Sequence, residues 1–232
     1  NRQIPNPIGL AAGFDKSGEV YNSLFNFGFG FIEIGTVTPK RQLGNPKPRI
    51  FRLEKDRALI NRLGFNNHGL ETVSKRISEN NPNGFLGINI GPNKDTKNKE
   101  EDYYTCLSKL SLFADYITVN ISSPNTEGLR NFHQQDEMEK LLKGINEITK
   151  DKKIQKPIAI KLSPDINENQ ISKIVELINK YNIQGIILSN TTDDNRENLL
   201  DIKRSESGGL SGQPLKNIST NLIKKFYQET KG

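Results

Sequence analysis

The sequence predicts an α/β protein organised as a (β/α)8 TIM barrel, here incomplete, with about six β/α units plus an inserted β-hairpin. Two observations lead there. Short apolar runs of β type alternate with amphipathic helical stretches, which is the pattern of βαβ units around a parallel sheet. Nearly every predicted strand also ends in a residue capable of chemistry: Asp15 and Lys16, Thr36, Asn89, Asn120 with Ser122 and Ser123, Lys161, and Ser189 with Asn190. A barrel builds its site from many strand ends, whereas an open sheet gathers ligands at one switch point.

Taken in order, residues 8–12 form a small-residue strand and 19–27 the helix after it. A second strand covers 31–36. The interval to the next parallel strand is too long for one helix, and 49–53 and 58–61 flank Glu54, Lys55, Asp56 and Arg57 as a hairpin would. Strands at 85–90 and 116–120 are followed by helices at 99–110 and 136–150. A fifth strand at 157–162 leads to a helix at 168–181, where Ile171, Ile174, Val175 and Ile178 keep one face apolar. The sixth strand is 185–189, and 219–230 is a closing helix with Ser219 as its cap. No repeat, low-complexity segment or linker interrupts the chain, so residues 1–232 read as one domain.

Composition excludes several classes. The formal charge is +6, but the 33 basic and 27 acidic residues are interspersed, with no block of five or six like charges. That describes a mixed solvated surface and no nucleic-acid partner. No apolar run approaches the roughly 18 residues that would span a bilayer. A single cysteine, Cys106, leaves no internal disulfide and no cysteine-based metal site. His68 and His133 have no partner at metal or triad spacing, so no metal is expected and a Ser-His-Asp nucleophile is disfavoured. His68 is expected to cap or contact the helix that follows it. Neither a P-loop nor a dinucleotide fingerprint is present.

The strand-end motifs each have two readings. Ala11, Ala12, Gly13, Phe14, Asp15 and Lys16 put small residues where a backbone could approach a flat ligand, with Lys16 meeting an anion; alternatively they form a tight turn with a solvated lysine. Residues 61–67 (Asn61, Arg62, Leu63, Gly64, Phe65, Asn66, Asn67) suit a polar heterocycle, or ordinary turn and capping chemistry. Asn120, Ser122, Ser123, Asn125 and Thr126 set two amides around hydroxyls just after a buried strand, more polar groups than a plain turn needs. Lys161 ends an apolar strand; it calls for an anionic partner, or else snorkels at the rim. Gly208, Gly209, Leu210, Ser211 and Gly212 read as a phosphate-cradling loop or a common glycine turn.

Together, residues 6–16, 33–39, 61–67, 120–126 and 208–214 resemble dihydroorotate dehydrogenase, in the right order through essentially the whole chain. Ser123 stands where the soluble class carries Cys and resembles the quinone-linked class 2 branch. The resemblance implies an FMN enzyme that oxidises dihydroorotate to orotate in pyrimidine synthesis and passes electrons to a quinone. By position it assigns Ala12, Gly13, Phe14, Asp15, Lys16, Thr36, Asn89, Asn120, Lys161, Ser189 and Gly212 to FMN. It assigns Lys16, Asn61, Arg62, Leu63, Gly64, Phe65, Asn120, Asn125, Asn190 and Thr191 to substrate. Ser123 matches the catalytic base, with Thr126 and a water as the implied proton relay, and Lys161 would offset negative charge on the reduced ring.

The resemblance also implies a membrane-docking N-terminal segment and two last strands that this chain lacks. Met138 is the only methionine, and the chain opens on Asn1, so these residues are expected to be a fragment. Alone, such a fragment is expected to bind FMN poorly and to aggregate. The parent enzyme is expected to be peripheral to the membrane, on the cytoplasmic face of a bacterial inner membrane or at the mitochondrial inner membrane. The competing readings are an FMN-dependent tRNA dihydrouridine synthase and an inactive truncated barrel.

Overall fold

The computed structural model describes residues 3–126 and 128–231. The elements run β1 (Gly9–Leu10), α1 (Tyr21–Phe25), β2 (Phe31–Val37), β3 (Ile50–Leu53), β4 (Ala58–Asn61), α2 (Leu70–Glu79), β5 (Phe85–Ile90), α3 (Lys99–Leu110) and β6 (Tyr116–Asn120). They continue with α4 (Gln135–Asp151), β7 (Ile158–Leu162), α5 (Glu168–Lys180), β8 (Gly185–Leu188), β9 (Gly209–Gly212) and α6 (Lys216–Thr230). The chain divides into two compact units, each drawn from three separated stretches.

The first unit comprises Asn1–Gly44, Phe65–Asn120 and Lys143–Ala159. Its strands β1, β2, β5 and β6 are parallel neighbours, with Gly9 opposite Phe31, Phe31 opposite Phe85 and Gly87 opposite Tyr116. Ile32, Ile34, Leu86, Ile88, Ile117 and Val119 are wholly buried. Burial on both faces explains why these strands read as near-continuous apolar runs without alternation. Gly87 has a specific reason to be glycine: an added Cβ would lie 2.1 Å from the Tyr116 ring, which stacks on Phe85. Helix α3 matches the expected span, and Asn98 Oδ1 accepts the Glu101 N–H at its start. Helix α1 is shorter than the expected 19–27. The Asp15 carboxylate takes the Glu19 and Val20 N–H groups at 2.8 Å each, which holds those residues in the preceding turn.

The second unit comprises Asn45–Gly64, Ile121–Leu142 and Ile160–Gly232. The hairpin stands as expected, with Phe51 opposite Ile60 in an antiparallel β3–β4 pair. Its third strand, β9, was expected to be a glycine loop and instead pairs with β4, Ala58 opposite Gly212 and Ile60 opposite Leu210. Phe51, Leu53, Ile60, Leu199 and Leu210 form the core beneath this sheet. Glycine suits β9 because neighbours come close: a Cβ on Gly209 would sit 1.9 Å from Thr191 Oγ1, and one on Gly212 2.4 Å from the Arg57 carbonyl. Helix α5 buries Ile171, Ile174, Val175 and Ile178 as the spacing predicts. Helix α6 begins three residues before the expected cap. Ser219 therefore lies inside it, and its hydroxyl meets Ser189 Oγ at 2.9 Å.

Candidate functional site

Within the first unit, the ends of β2, β5 and β6 bring Thr36, Asn89 and Asn120 into one hydrogen-bonded set. Thr36 Oγ1 donates to Asn89 Oδ1 at 2.6 Å. Asn120 Nδ2 donates to Thr36 Oγ1 and Asn89 Oδ1, both at 3.1 Å. The set is oriented by a residue that the sequence reading missed. Glu33 is 4% exposed, and Asn89 Nδ2 donates to its Oε1 at 2.9 Å. Its Oε2 accepts Tyr116 OH at 2.9 Å and Thr118 Oγ1 at 2.7 Å. Burial, and after it the Glu33 charge, hold the Tyr116 phenol well above its usual range, so it remains a donor. The available signal was an acid in the middle of an otherwise apolar strand.

The turn at 11–16 is fastened to the end of β2. Gly13 N–H donates to the Gly35 carbonyl and Gly35 N–H to the Asp15 carbonyl, each at 2.9 Å. Gly13 has φ +112°, and a Cβ there would meet nothing within 4 Å, so bare backbone faces open space. Phe14 is exposed and Lys16 partly buried. The Asp15 carboxylate is committed to the local turn described above.

Within the second unit, the segment after β6 is tied to two others. Asn125 Nδ2 donates to the Asn61 carbonyl at 3.1 Å and reaches Asn61 Oδ1 at 3.4 Å. Asn190 Nδ2 donates to Ser122 Oγ at 2.9 Å, while Asn190 Oδ1 accepts the Thr191 N–H at 2.9 Å. Ser123 is 6% exposed, and its Oγ accepts the Asn125 N–H at 3.2 Å. Thr126 is buried, and its carbonyl accepts the Leu129 N–H. Lys161 is 8% exposed at the end of β7. The structure thus joins Asn61, Asn125, Ser122 and Asn190, all polar groups of the expected substrate and base segments. Arg62 points elsewhere: its guanidinium bonds Glu206 at 2.8 Å and lies 4.4 Å over the Phe51 ring. Leu63 and Gly64 belong to this unit and Phe65 to the first; Phe65 is buried at φ +51°, and its carbonyl accepts Asn67 Nδ2.

The two histidines have structural partners. His68 Nδ1 lies 3.5 Å from the Arg76 guanidinium on α2, the contact with the following helix that was expected. His133 is in a 3-10 turn (Leu129–His133), where Nδ1 meets the Arg130 carbonyl at 3.1 Å and Nε2 accepts the Ser163 N–H at 3.3 Å. Burial, helped by the Arg130 charge, lowers the His133 pKa from 6.5 to about 4. The unfolded chain therefore takes up this proton first. Stability is fully present above pH 6.5 and falls as pH drops toward 4, by on the order of 3 kcal/mol. Melting temperatures recorded from pH 7 to 4 should decline less steeply for His133→Gln than for the parent chain; identical slopes would exclude His133 as the source.

Among the described residues, no group of three or more His, Cys, Asp or Glu is placed to hold a metal ion. The first unit offers neutral amides, a hydroxyl and an open glycine turn, and the second, taken by itself, offers amides, hydroxyls and a buried lysine. Each of these donor sets suits a flat, hydrogen-bonding heterocycle, and the lysine of the second suits anionic character.

A family model for dihydroorotate dehydrogenase matches residues 1–232. The chain belongs to the dihydroorotate dehydrogenase family. It is similar to the Chromobacterium violaceum protein named dihydroorotate dehydrogenase (quinone), 46% identical across 99% of this chain and 68% of that one. It is also similar to the protein of the same name from Rhodospirillum rubrum, 43% identical across all of this chain and 64% of that one. The chain therefore spans about two thirds of the length of these relatives. Among solved structures, dihydroorotate dehydrogenase from Eimeria tenella in complex with ferulenol aligns at TM-score 0.92 and 39% identity, covering 97% of this chain and 67% of that one. The likeness bears out the TIM-barrel reading of the fold. Dihydroorotate dehydrogenases are flavin-dependent, so the donor chemistry and the family agree, and the tRNA dihydrouridine synthase reading is set aside.

Proposed function

We propose that this chain carries the catalytic barrel segment of a quinone-linked dihydroorotate dehydrogenase, oxidising (S)-dihydroorotate to orotate in pyrimidine biosynthesis, with FMN as the hydride acceptor and a quinone as the final oxidant. The observation that carries the reading is the segment Ser122–Asn125, bonded to Asn61 and Asn190. The Asn125 amide is bonded to Asn61 and the Asn190 amide to Ser122, and dihydroorotate presents alternating N–H and C=O edges that amides match. Ser123 in place of Cys favours the quinone-linked branch.

The residues that would hold FMN are Ala12, Gly13, Phe14, Asp15, Lys16, Thr36, Asn89, Asn120, Lys161, Ser189 and Gly212. When bound, the flavin supplies a hydride acceptor. The chain's own groups do the rest. Lys16 pairs with the substrate carboxylate. Asn61, Asn120, Asn125, Asn190 and Thr191, with the backbone of Arg62, Leu63, Gly64 and Phe65, orient the ring. Ser123 removes the C5 proton, and Thr126 with a water carries it away. Lys161, buried at the end of β7, would offset negative charge on the reduced ring.

Because a quinone is dissolved in the lipid, the reading includes attachment to a membrane surface through a segment outside this chain. We place it at the cytoplasmic face of a bacterial inner membrane, or at the mitochondrial inner membrane. Among the described residues, no helix is long and apolar enough to cross a membrane. Residues 1–232 are read as part of one flavin-binding barrel domain; Asn1 and Gly232, its stated ends, lie outside the described residues. The test is anaerobic addition of dihydroorotate to the purified holoprotein, followed by ubiquinone, fumarate or NAD. Flavin bleaching reversed by ubiquinone alone is expected. Retained flavin that dihydroorotate does not bleach would refute the activity, and preferential reoxidation by fumarate or NAD would refute the class.

A further inference from the structure

We propose that Arg130 is a positioning residue that locks the Ser123 turn and the Asn190–Thr191 segment into one rigid arrangement. The proposal rests on the reading of Ser123 as base and of Asn190 and Thr191 as substrate residues. Arg130 sits in the 3-10 turn Leu129–His133, on a platform set by buried Leu129 and Phe132 on either side. Its guanidinium meets four partners on three stretches of chain. Nε donates to the Ser122 carbonyl at 3.4 Å, the peptide group that leads directly into Ser123. Nη2 donates to the Thr191 carbonyl at 3.0 Å. Nη1 bonds Asp165 Oδ2 at 2.9 Å and also Asp193.

The carboxylate end is itself braced. Asp165 Oδ1 accepts Thr192 Oγ1 at 2.5 Å, and Oδ2 accepts Ser163 Oγ at 3.2 Å. Asn190 Nδ2 on Ser122 Oγ adds a second tie between the same two segments. Two carbonyls and two carboxylates spread around one planar group suit a guanidinium, whose five N–H donors have fixed directions. An ammonium group is a single point and cannot serve all four at these positions. Arg130 thus acts on the chemistry through Ser123, Asn190 and Thr191, and a small displacement of a base from its proton is enough to slow transfer steeply.

The test compares the parent holoenzyme with Arg130→Ala, Arg130→Lys and Ser123→Ala. Stopped-flow flavin reduction by dihydroorotate is expected to slow about 10²-fold in both Arg130 variants. Lysine, which keeps the charge, should not restore the rate. Added guanidinium at millimolar levels should partly rescue Arg130→Ala and leave Ser123→Ala unchanged. Without substrate, the Ser123 and Asn125 amides should exchange hydrogen faster in Arg130→Lys, with other amides unaltered. Near-parent reduction in Arg130→Lys, with Ser123→Ala inactive, would overturn the proposal and leave the base assignment standing. A fully active Ser123→Ala would remove the base assignment. Arg130 would then be judged by orotate affinity and amide exchange, and parent values of both would overturn the proposal.

Discussion

Ser123→Ala should reduce the rate of flavin reduction by dihydroorotate about 10³-fold, within the range attributed to a positioned general base. Ser123 follows a buried strand, is 6% exposed, and lies in a turn held by Asn61 and Asn190. A free hydroxyl is a weak base, but the Asn125 N–H donated to Ser123 Oγ at 3.2 Å stabilises negative charge on that oxygen. Thr126, three residues on and buried, is available to pass the proton outward. A stopped-flow trace under anaerobic conditions reads the step directly, without interference from quinone turnover. Ser123→Cys should retain part of the rate, with its pH profile moved to lower pH, because a thiol ionises near pH 8.5. Reduction of Ser123→Ala at the parent rate would assign the proton to another group.

Glu33→Ala should be the most destabilising single change in the first unit. The substitution leaves two buried donors, Asn89 Nδ2 and Thr118 Oγ1, and the half-buried Tyr116 OH without their acceptor. Each stranded group costs about 1–3 kcal/mol, so the sum rivals the roughly 5–15 kcal/mol that holds a typical domain folded. The expected result is a melting temperature lower by 10 °C or more, at roughly 2–4 °C per kcal/mol for a chain of this length, or failure to accumulate folded protein. Glu33→Gln should be milder. One amide oxygen can keep the Asn89 contact, while the Tyr116 and Thr118 hydroxyls rotate to accept from the new amide. Flavin affinity should fall in both, because Glu33 sets the direction in which the Asn89 amide faces Thr36 and Asn120. Thermal melting with flavin fluorescence measures both quantities, and a Glu33→Ala protein that melts within 2 °C of the parent would exclude this account.

Much of the architecture was legible because its signals are local. The β/α alternation, the hairpin around residues 54–57 and the apolar face of α5 each depend on residues within one turn or one strand of each other. The amide- and hydroxyl-rich segments were legible for the same reason, and the structure gathers Asn61, Asn125, Ser122 and Asn190 within one unit. Helix starts were less legible: α1 is delayed by the Asp15 carboxylate, and α6 runs past its expected serine cap. The strand β9 carried no local signal, since its glycines are poor strand formers and only the edge of β4 and the crowding at Thr191 make them fit.

By itself the sequence determined the fold class, the hairpin and the chemical character of the strand ends, because periodicity and residue type are written in consecutive positions. Tertiary structure alone decided what each polar side chain does. Glu33 reaches Thr118 across 85 positions, Arg130 reaches Thr191 across 61, and Asn125 reaches Asn61 across 64. Hydrogen bonds between residues so far apart exist only once the strands are in register, and in a buried setting every donor must then find its acceptor. That requirement turns an acid in an apolar strand into the support of an amide set, and an arginine after a glycine turn into the clamp on a serine.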